Sequence, residues 1–464
     1  MGVKDAMEQP GEGSSEGNDA EVKPGALEWL LRPFTDVEPG EAGTALLMFF
    51  NLFLLLLGYY VLRTVREPLI LASGAEVKSY SSAGQALTLM GFVPLYGWFS
   101  SQVDRMKLIL GFILFFIVTT ELFSWSGRAG VPYVGVLFYI WVGIFSLATI
   151  AQFWSFANDI YRREVGERLF PFIFLGASLG APVGAQVAGR LFDAGVSPYD
   201  IMHVSAAILC VHLALYWVVN RRESRRGTQA ATAGTPLSAA AGGFQLVFGS
   251  SYLRLLALLI VLLNVVNTTG NYIVDRTVVA AADEAVAANP SLTRDAFIGS
   301  FYGDYSFAFS TLGLLLQAFA VSRIVKYLGM AGAILTLPLV ALGGYGLIAA
   351  GAGLFVMRWA KIAENATDYS VMNTARQLVW LPTTREEKYK AKQAIDTFFV
   401  RTGDLLQAAL VFAGTTWLGL GARGFALANL VLIAAWLAVA VLLLREYGRI
   451  MRKRVEAAAG GPPE

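Results

Sequence analysis

Five polar or charged residues recur at helical spacing within one apolar stretch of the chain. They are Arg358, Lys361, Glu364, Asn365 and Asp368. At 100° per residue, they fall within one arc of about 120° on a helix. Such an arc offers both signs of charge, so it could bind an anionic solute or couple ions to its movement. A self-neutralising network that joins two helices would use the same residue types.

A second group of this kind lies in an earlier apolar stretch. Tyr59, Arg63 and Arg66 follow one another at spacings of four and three residues, along one face of a helix. Arginine suits bidentate capture of a carboxylate or a phosphate. The alternative is that these side chains lie near the end of a span and extend to the lipid headgroups.

Single charged residues in other apolar stretches are further candidates. Asp304 lies in Tyr302-Gly-Asp-Tyr305, and Asp275 and Arg276 are neighbours in the preceding stretch. A charged residue in such a position marks a solute or ion pathway by default, because its burial is expensive. An ion pair with a neighbouring helix is an equally good interpretation of each.

Several kinds of chemistry are excluded by the composition. Cys210 is the single cysteine, and His203 and His212 are nine residues apart, which places them on opposite faces of a helix. No phosphate-binding Gly-x-x-x-x-Gly-Lys-Ser/Thr loop, His-Glu-x-x-His motif or dinucleotide fingerprint occurs. We therefore expect no metal, no cofactor, no nucleic-acid partner and no enzyme activity. Any transport must then be driven by a gradient or an exchanged solute.

The elements that must position these residues are membrane-spanning helices. Of 464 residues, 56% are hydrophobic and 15% are charged, whereas soluble domains carry about 25% charged residues. Each span needs about 20 apolar residues, and twelve such stretches occur. Their centres lie near Leu54, Gly91, Phe115, Ile144, Leu179, Ile208, Leu263, Leu312, Leu339, Met357, Leu410 and Ile433. The fold class predicted is an all-α integral membrane protein with twelve transmembrane helices in two pseudo-symmetric six-helix bundles.

The boundaries of the two bundles follow from a linker rich in Arg, Ala, Gly, Thr and Ser. The predicted division is a disordered cytoplasmic tail with a short interfacial helix, a first bundle, a cytoplasmic linker, a second bundle and a cytoplasmic tail. These parts cover residues 1–40, 41–220, 221–243, 244–445 and 446–464 respectively. The two halves also echo each other, because Gly58-Tyr-Tyr-Val-Leu-Arg63 resembles Gly270-Asn-Tyr-Ile-Val-Asp-Arg276 with one insertion.

The orientation follows from the basic residues between spans. One set of alternate loops, with the C-terminal tail, holds twenty Lys and Arg residues, and the other set holds five, Lys78 among them. Because positive loops stay in the cytoplasm, both termini are predicted to be cytoplasmic. Gly176, Gly180 and Gly184 in the fifth span are typical of close helix packing and also look like an antiporter element of major facilitators.

Several segments resemble the ATP/ADP translocases, the nucleotide transporters of plastids and intracellular bacteria that are distantly related to the major facilitators. The most specific is Tyr369-Ser370-x-x-Asn373, Leu381-Pro382 and Lys388-Tyr-Lys390-Ala-Lys392-Gln-Ala-Ile-Asp396. The others are Phe153-Trp-Ser-Phe-Ala-Asn158, Gly303-Asp-Tyr-Ser306 and Leu62-Arg-Thr-Val-Arg-Glu67. The resemblance runs in order from about residue 45 to 445. It implies twelve helices and exchange of cytoplasmic for external nucleotide. We also expect the protein to lie in the lipid bilayer of a bacterial inner membrane and to function as a monomer.

The resemblance also assigns roles by position. Arg66 stands where the translocases have a functionally important lysine, and Lys392 is a candidate to contact phosphate. Two acidic residues of the family are absent, one at Val142 or Gly143 and one at Asn267. The predicted substrate-binding residues are Arg63, Arg66, Asn158, Asn267, Asp304, Lys361 and Lys392. The predicted coupling network is Arg358, Glu364, Asp368 and Asp396.

Three functions remain open at this stage. The first is alternating-access exchange of nucleotides or of another organic or phosphorylated anion. The second is a proton-coupled facilitator or exporter of an unrelated small molecule, in which Asp304, Glu364 or Asp368 carries the proton. The third is a membrane scaffold without transport, which the buried charges of the tenth span disfavour because lipid contact alone does not require them.

Overall fold

The computed structural model describes residues 26–100, 102–226 and 242–459. Most of these residues are helical, and no strand occurs among them. The predicted tail at 1–25 and most of the predicted linker, 227–241, lie outside the described residues. The all-α fold expected from the apolar stretches is confirmed.

The first half of the chain consists of one short helix and six long ones. The short helix α1 comprises Ala26–Leu31. The six long helices are α2 (Ala42–Leu71), α3 (Ala75–Ser100), α4 (Arg105–Arg128), α5 (Val134–Ile160), α6 (Arg163–Asp193) and α7 (Pro198–Arg226). Asp104 caps α4 by accepting a hydrogen bond from the Lys107 backbone N–H at 3.2 Å.

The second half repeats this plan, with two spans built from several segments. It comprises α8 (Gly243–Gly249), α9 (Ser251–Ala288), α10 (Arg294–Phe319), α11 (Val321–Ala349) and α16 (Ala422–Ala459). Helix α11 is kinked at Gly329, whose φ of 62° and ψ of −156° are not helical. The tenth span joins α12 (Leu354–Thr367), a π-helical turn at Asp368–Met372 and α13 (Asn373–Leu378). The eleventh joins π-helical turns at Glu387–Ala391 and Ile395–Phe399, on either side of α14 (Lys392–Ala394), to α15 (Val400–Thr416).

Eight of the described helices are long and apolar enough to cross a bilayer. They are α2, α4, α5, α6, α7, α9, α11 and α16. The other four predicted spans are α3, α10 and the two segmented ones, which carry polar and charged residues that face the interior. The twelve-span plan is approximately consistent with the structure, and all four of the less apolar spans contribute residues to the cavity described below.

Glycines let two helices of the first half pack backbone to backbone. A Cβ atom added to Gly176, Gly180 or Gly184 of α6 would lie 2.3–2.4 Å from a carbonyl oxygen of α2. The carbonyls belong to Phe49, Phe53 and Leu57. Because no side chain fits at that distance, the glycine ridge serves close helix contact, one of the two interpretations drawn from the sequence.

The two halves meet mainly along two helix pairs, with smaller contacts of α2 with α10 and of α3 with α9. Helix α6 packs against α10, and α3 packs against α15. At the first crossing, a Cβ atom on Gly303 would lie 2.4 Å from the Cα of Gly189. Gly189 lies near the C-terminal end of α6 and Gly303 in the N-terminal half of α10. The halves therefore touch most closely on the side opposite the two chain ends.

Candidate functional site

A polar cavity lies between the two halves. Its volume is about 140 Å³. Helices α2, α3 and α5 of the first half and α9, α10 and α15 of the second contribute to it, together with the tenth span. The charged residues that line it are Arg63, Arg66, Glu67, Lys78 and Asp275. The cavity is thus the place where both halves bring charge into the interior of the protein.

Lys78 of α3 lies at the centre of an ion cluster that joins the halves. Its Nζ is 2.6 Å from Oε2 of Glu67 on α2 and 2.7 Å from Oδ1 of Asp275 on α9. The hydroxyl of Tyr302 on α10 donates a hydrogen bond to the same Asp275 oxygen. All three charged residues are buried. Each therefore depends on its partners, because an isolated charge would be very costly at this position.

Arg66 completes this cluster from the first half. Its Nε and Nη2 donate to Oε1 of Glu67 at 3.2 and 2.9 Å. The guanidinium lies 4.3 Å from the centre of the Tyr139 ring, a cation–π distance. With Lys78 and Asp275, the cluster contains two cations and two carboxylates. It is balanced in charge before any solute binds.

Arg63 lies one helical turn away and differs from Arg66 in its partners. Its Nη1 donates to the hydroxyl of Tyr60 at 3.3 Å. Its guanidinium carbon lies 5.2 Å from the Tyr60 ring centre and 5.6 Å from that of Phe309. Within the described residues, no carboxylate forms an ion pair with it. Arg63 therefore presents a cation to the cavity with only aromatic rings and hydroxyls around it.

Next to the cavity, Lys361 and Glu364 of α12 form a buried pair. Lys361 Nζ donates to Glu364 Oε1 at 2.8 Å and to the backbone oxygen and Oδ1 of Asn267 at 2.8 and 2.6 Å. The hydroxyl of Tyr345 donates to the other Glu364 oxygen at 2.9 Å. The arc predicted for the tenth span thus faces the bundle interior, and the amide at position 267 supports the lysine.

Asp368 stands where the tenth span changes from α-helix to a π-helical turn. Arg376 Nη2 lies 3.3 Å from its Oδ1, and Asn267 Nδ2 lies 3.4 Å from its Oδ2. On the same face, the Asn365 amide donates to the hydroxyl of Tyr305 at 2.6 Å. π-Helical turns occur often at functional sites. Here Asp368 and Tyr369, which lines the cavity, lie in the π-helical turn and not in the α-helix that precedes it.

Five of the predicted site residues lie away from the cavity. Asp304 and Arg358 pair with each other at 3.4 Å, in a separate pocket between α6, α10 and α12. Asn158 lines a pocket between α5 and the start of α6. Asp396 lines a pocket between α3, α5 and the eleventh span. Lys392, four positions before Asp396, donates a hydrogen bond from Nζ to Oε1 of Gln377 at 2.7 Å. Their roles stay predictions.

The cavity also contains residues that the sequence did not single out as a site. Lys78 was assigned to a loop, but α3 begins at Ala75 and places it buried in the first turn. Glu67 had appeared only as part of a resembling segment, and Tyr139 and Tyr302 had no assigned role. The turn between α2 and α3 spans only residues 72–74, so Lys78 already lies within the helix that follows it.

The fold is that of membrane transporters. The chain superimposes on a nucleoside transporter, NupG, with a TM-score of 0.59 at 13% identity, covering 87% of this chain and 98% of that one. It superimposes on a bacterial homologue of the iron transporter ferroportin in an inward-facing state with a TM-score of 0.61 at 14% identity, covering 87% and 98%. The predicted all-helical membrane-transporter fold agrees with these neighbours.

In sequence, the chain is similar to ADP,ATP carriers of Chlamydia. It is 22% identical to ADP,ATP carrier protein 1 of Chlamydia trachomatis, over 91% of this chain and 92% of that protein. It is 23% identical to the protein of the same name from Chlamydia pneumoniae over 339 residues, 63% of each chain. No protein-family model matches the chain. The resemblance to translocases inferred from the sequence motifs is confirmed.

Proposed function

We propose that this protein is a secondary transporter that exchanges organic anions across a membrane by alternating access. The observation that carries the proposal is the cavity itself, which is buried, charged and built jointly by the two halves. A scaffold has no need of such a cavity, because burying charge within the membrane is costly. A carrier needs a central site that both halves can expose in turn.

The contacts around the cavity support alternating access. On the side opposite the chain ends, Tyr272 donates to Glu76 at 2.8 Å and Ser300 donates to Asp193 at 2.6 Å, each from one half to the other. The Lys78 ion cluster lies on the same side. These contacts must break before a solute can enter or leave there. A rigid-body movement of one half against the other would break them.

The membrane setting completes the proposal. The excess of basic residues on one side supports a cytoplasmic location for both chain ends. The membrane in this proposal is the inner membrane of a bacterial cell. The closed side then faces outward. We expect a monomer to be the functional unit, because each chain has its own cavity between its two halves.

Nucleotides are the first substrate class to test, since the similar carriers of Chlamydia are named for ADP and ATP. Other phosphorylated or carboxylated anions come next. In this assignment Arg63, Arg66 and Asn267 lie at the cavity, and Lys361 adjoins it through Asn267. Lys392, with Asp396 nearby, would act at the cytoplasmic mouth.

The test is counterflow in liposomes that contain the purified protein. The vesicles are preloaded with unlabelled ATP, ADP or one of a panel of organic anions, and the labelled compound is added outside. The proposal predicts uptake only when a substrate is present inside, with a loss of at least tenfold in Arg63→Gln. Arg449→Gln, at the exposed end of α16, is the control. Absence of exchange for every anion would overturn the proposal.

The buried Lys361–Glu364 pair favours proton coupling as a second candidate. A carboxyl group and an amine at 2.8 Å beside the cavity could exchange a proton during the transport cycle. An imposed pH gradient would then drive accumulation without internal substrate. A protonophore would abolish this accumulation, and Glu364→Gln would uncouple it from the gradient.

A further inference from the structure

The interior of the protein balances its charges pair by pair. Besides the cluster of Arg66, Glu67, Lys78 and Asp275, three further pairs lie within the second half. They are Lys361–Glu364 at 2.8 Å, Arg376–Asp368 at 3.3 Å and Arg401–Asp404 at 3.2 Å. In each pair a cation faces one carboxylate. Charges fixed in this way are not free to bind a solute without exposing their partners.

Arg63 is the exception among the cavity residues. It lines the cavity, yet its contacts are the hydroxyl and ring of Tyr60, the ring of Phe309 and the hydroxyl of Tyr369. Cation–π contacts supply about 0.5–2 kcal/mol, much less than the cost of removing a charge from water. Among the described residues, no carboxylate pairs with this guanidinium. The cavity therefore has a net charge of about one positive unit, located on Arg63.

We propose that Arg63 holds a single anionic group of the substrate and that the preferred substrate carries one negative charge. This inference rests on the proposed transport function and narrows its substrate class. A phosphodiester or a monocarboxylate would neutralise Arg63. Each additional charge of ADP or ATP would stay unpaired or would have to displace Glu67 or Asp275 from its cation, which costs several kcal/mol for each buried ion.

The rest of the lining suits a neutral, polar substrate body. Asn271, Asn365, Ser306 and Gln407 present amides and a hydroxyl, and Tyr139 presents a ring face. Such groups recognise hydroxyls, amides or a flat ring without adding charge. The volume of about 140 Å³ is below the 300–1,000 Å³ typical of ligand pockets. The structure therefore favours a compact substrate, or one that enters when the halves part.

The experiment compares adenine nucleotides that differ in charge and adds a singly charged carboxylate of different structure. Liposomes with the full-length protein are preloaded with cyclic AMP, ADP, ATP or nicotinate, and uptake of the same labelled compound is followed. We expect cyclic AMP or nicotinate to exchange at least tenfold faster than ADP and ATP. Arg63→Gln should remove this exchange, and Arg63→Lys should retain part of it. Arg449→Gln should leave it unchanged.

A second variant tests the charge count directly. Asn271→Lys adds one cation to the cavity and should raise the rate for ADP relative to cyclic AMP at least fivefold. ADP or ATP exchange as fast as that of the singly charged probes would overturn this inference and leave the proposed exchanger standing. Failure of both singly charged probes would overturn it too. Failure of all four would count against the proposed function as well.

Discussion

Lys78 and Asp275 are 197 positions apart in the chain, and their side chains form a buried ion pair of 2.7 Å between the two halves. The Nζ of Lys78 also lies 2.6 Å from Oε2 of Glu67, which belongs to the same half as the lysine. One cation thus neutralises a carboxylate from each half. The pair lies on the side of the cavity opposite the chain ends, so it must separate whenever that side opens.

Replacing Lys78 should favour the conformation in which the cavity is open on the side of the Lys78–Asp275 pair. In Lys78→Gln, two buried carboxylates lose their cation, and separation of the halves gives them access to water. A cysteine at Ser82, which lines the cavity, reports access in a Cys210→Ser background. We expect an impermeant thiol reagent, applied from that side, to label it about tenfold faster.

The control for this experiment is an exposed cation on the same side. Arg190 pairs with Asp193 at 3.9 Å, and its side chain is 75% exposed, so the pair contributes little energy. Arg190→Gln should leave the labelling rate unchanged. Equal labelling of the Lys78 variant and its parent would show that the ion pair does not hold this side closed.

Steric contact where α6 crosses α10 should limit how closely the two halves approach each other on the closed side. A Cβ atom on Gly303 would lie 2.4 Å from Gly189 Cα, whereas on Gly313 of the same helix its nearest neighbour is 3.6 Å away. Gly303→Ala should therefore part the halves at a cost of about 1–3 kcal/mol to the closed state. Gly313→Ala should not. The Ser82 cysteine assay distinguishes the two, and equal labelling of both variants would contradict the assignment.

The fold could be predicted well because the bilayer restricts the choices. Spanning segments must be helical and apolar, so runs of hydrophobic residues locate them. The periodicity of the tenth span also predicted correctly that Lys361 and Glu364 face inward, since both residues lie on one helix. The π-helical turns at Asp368 and Ile395 could not be predicted, because nothing in the local sequence distinguishes them from α-helix.

The site was predicted less completely, and the reason is the separation of partners along the chain. Burial of Lys78 depends on Asp275, and the two residues come together only when the halves pack. Asp304 and Arg358 were both identified, but their mutual pairing outside the cavity depends on how α10 and α12 are rotated. A single sequence gives the helical face of a residue more readily than the neighbour that this face meets.

The glycine ridge of α6 should be essential for stability of the first half. Gly180→Ala would place a methyl group 2.3 Å from the Phe53 carbonyl oxygen, so the helices must move apart. We expect a loss of about 1–3 kcal/mol in the free energy of unfolding. Gly91→Ala in α3 has no atom within 4 Å of the added carbon and should be neutral. Thermal unfolding of the purified protein tests both, and equal midpoints would argue against the ridge.

The Lys361–Glu364 pair should show strong coupling between its members. Lys361→Met leaves a buried carboxylate with only the Tyr345 hydroxyl as a donor, and we expect this to cost about 3 kcal/mol or more in stability. Adding Glu364→Gln removes that charge and should restore part of the loss. Lys326→Met, at an exposed position, should have little effect. Thermal unfolding of the parent, both single variants and the double variant gives the coupling, with Lys326→Met as the control. A double variant no more stable than Lys361→Met would mean that Glu364 carries no charge once the lysine is lost.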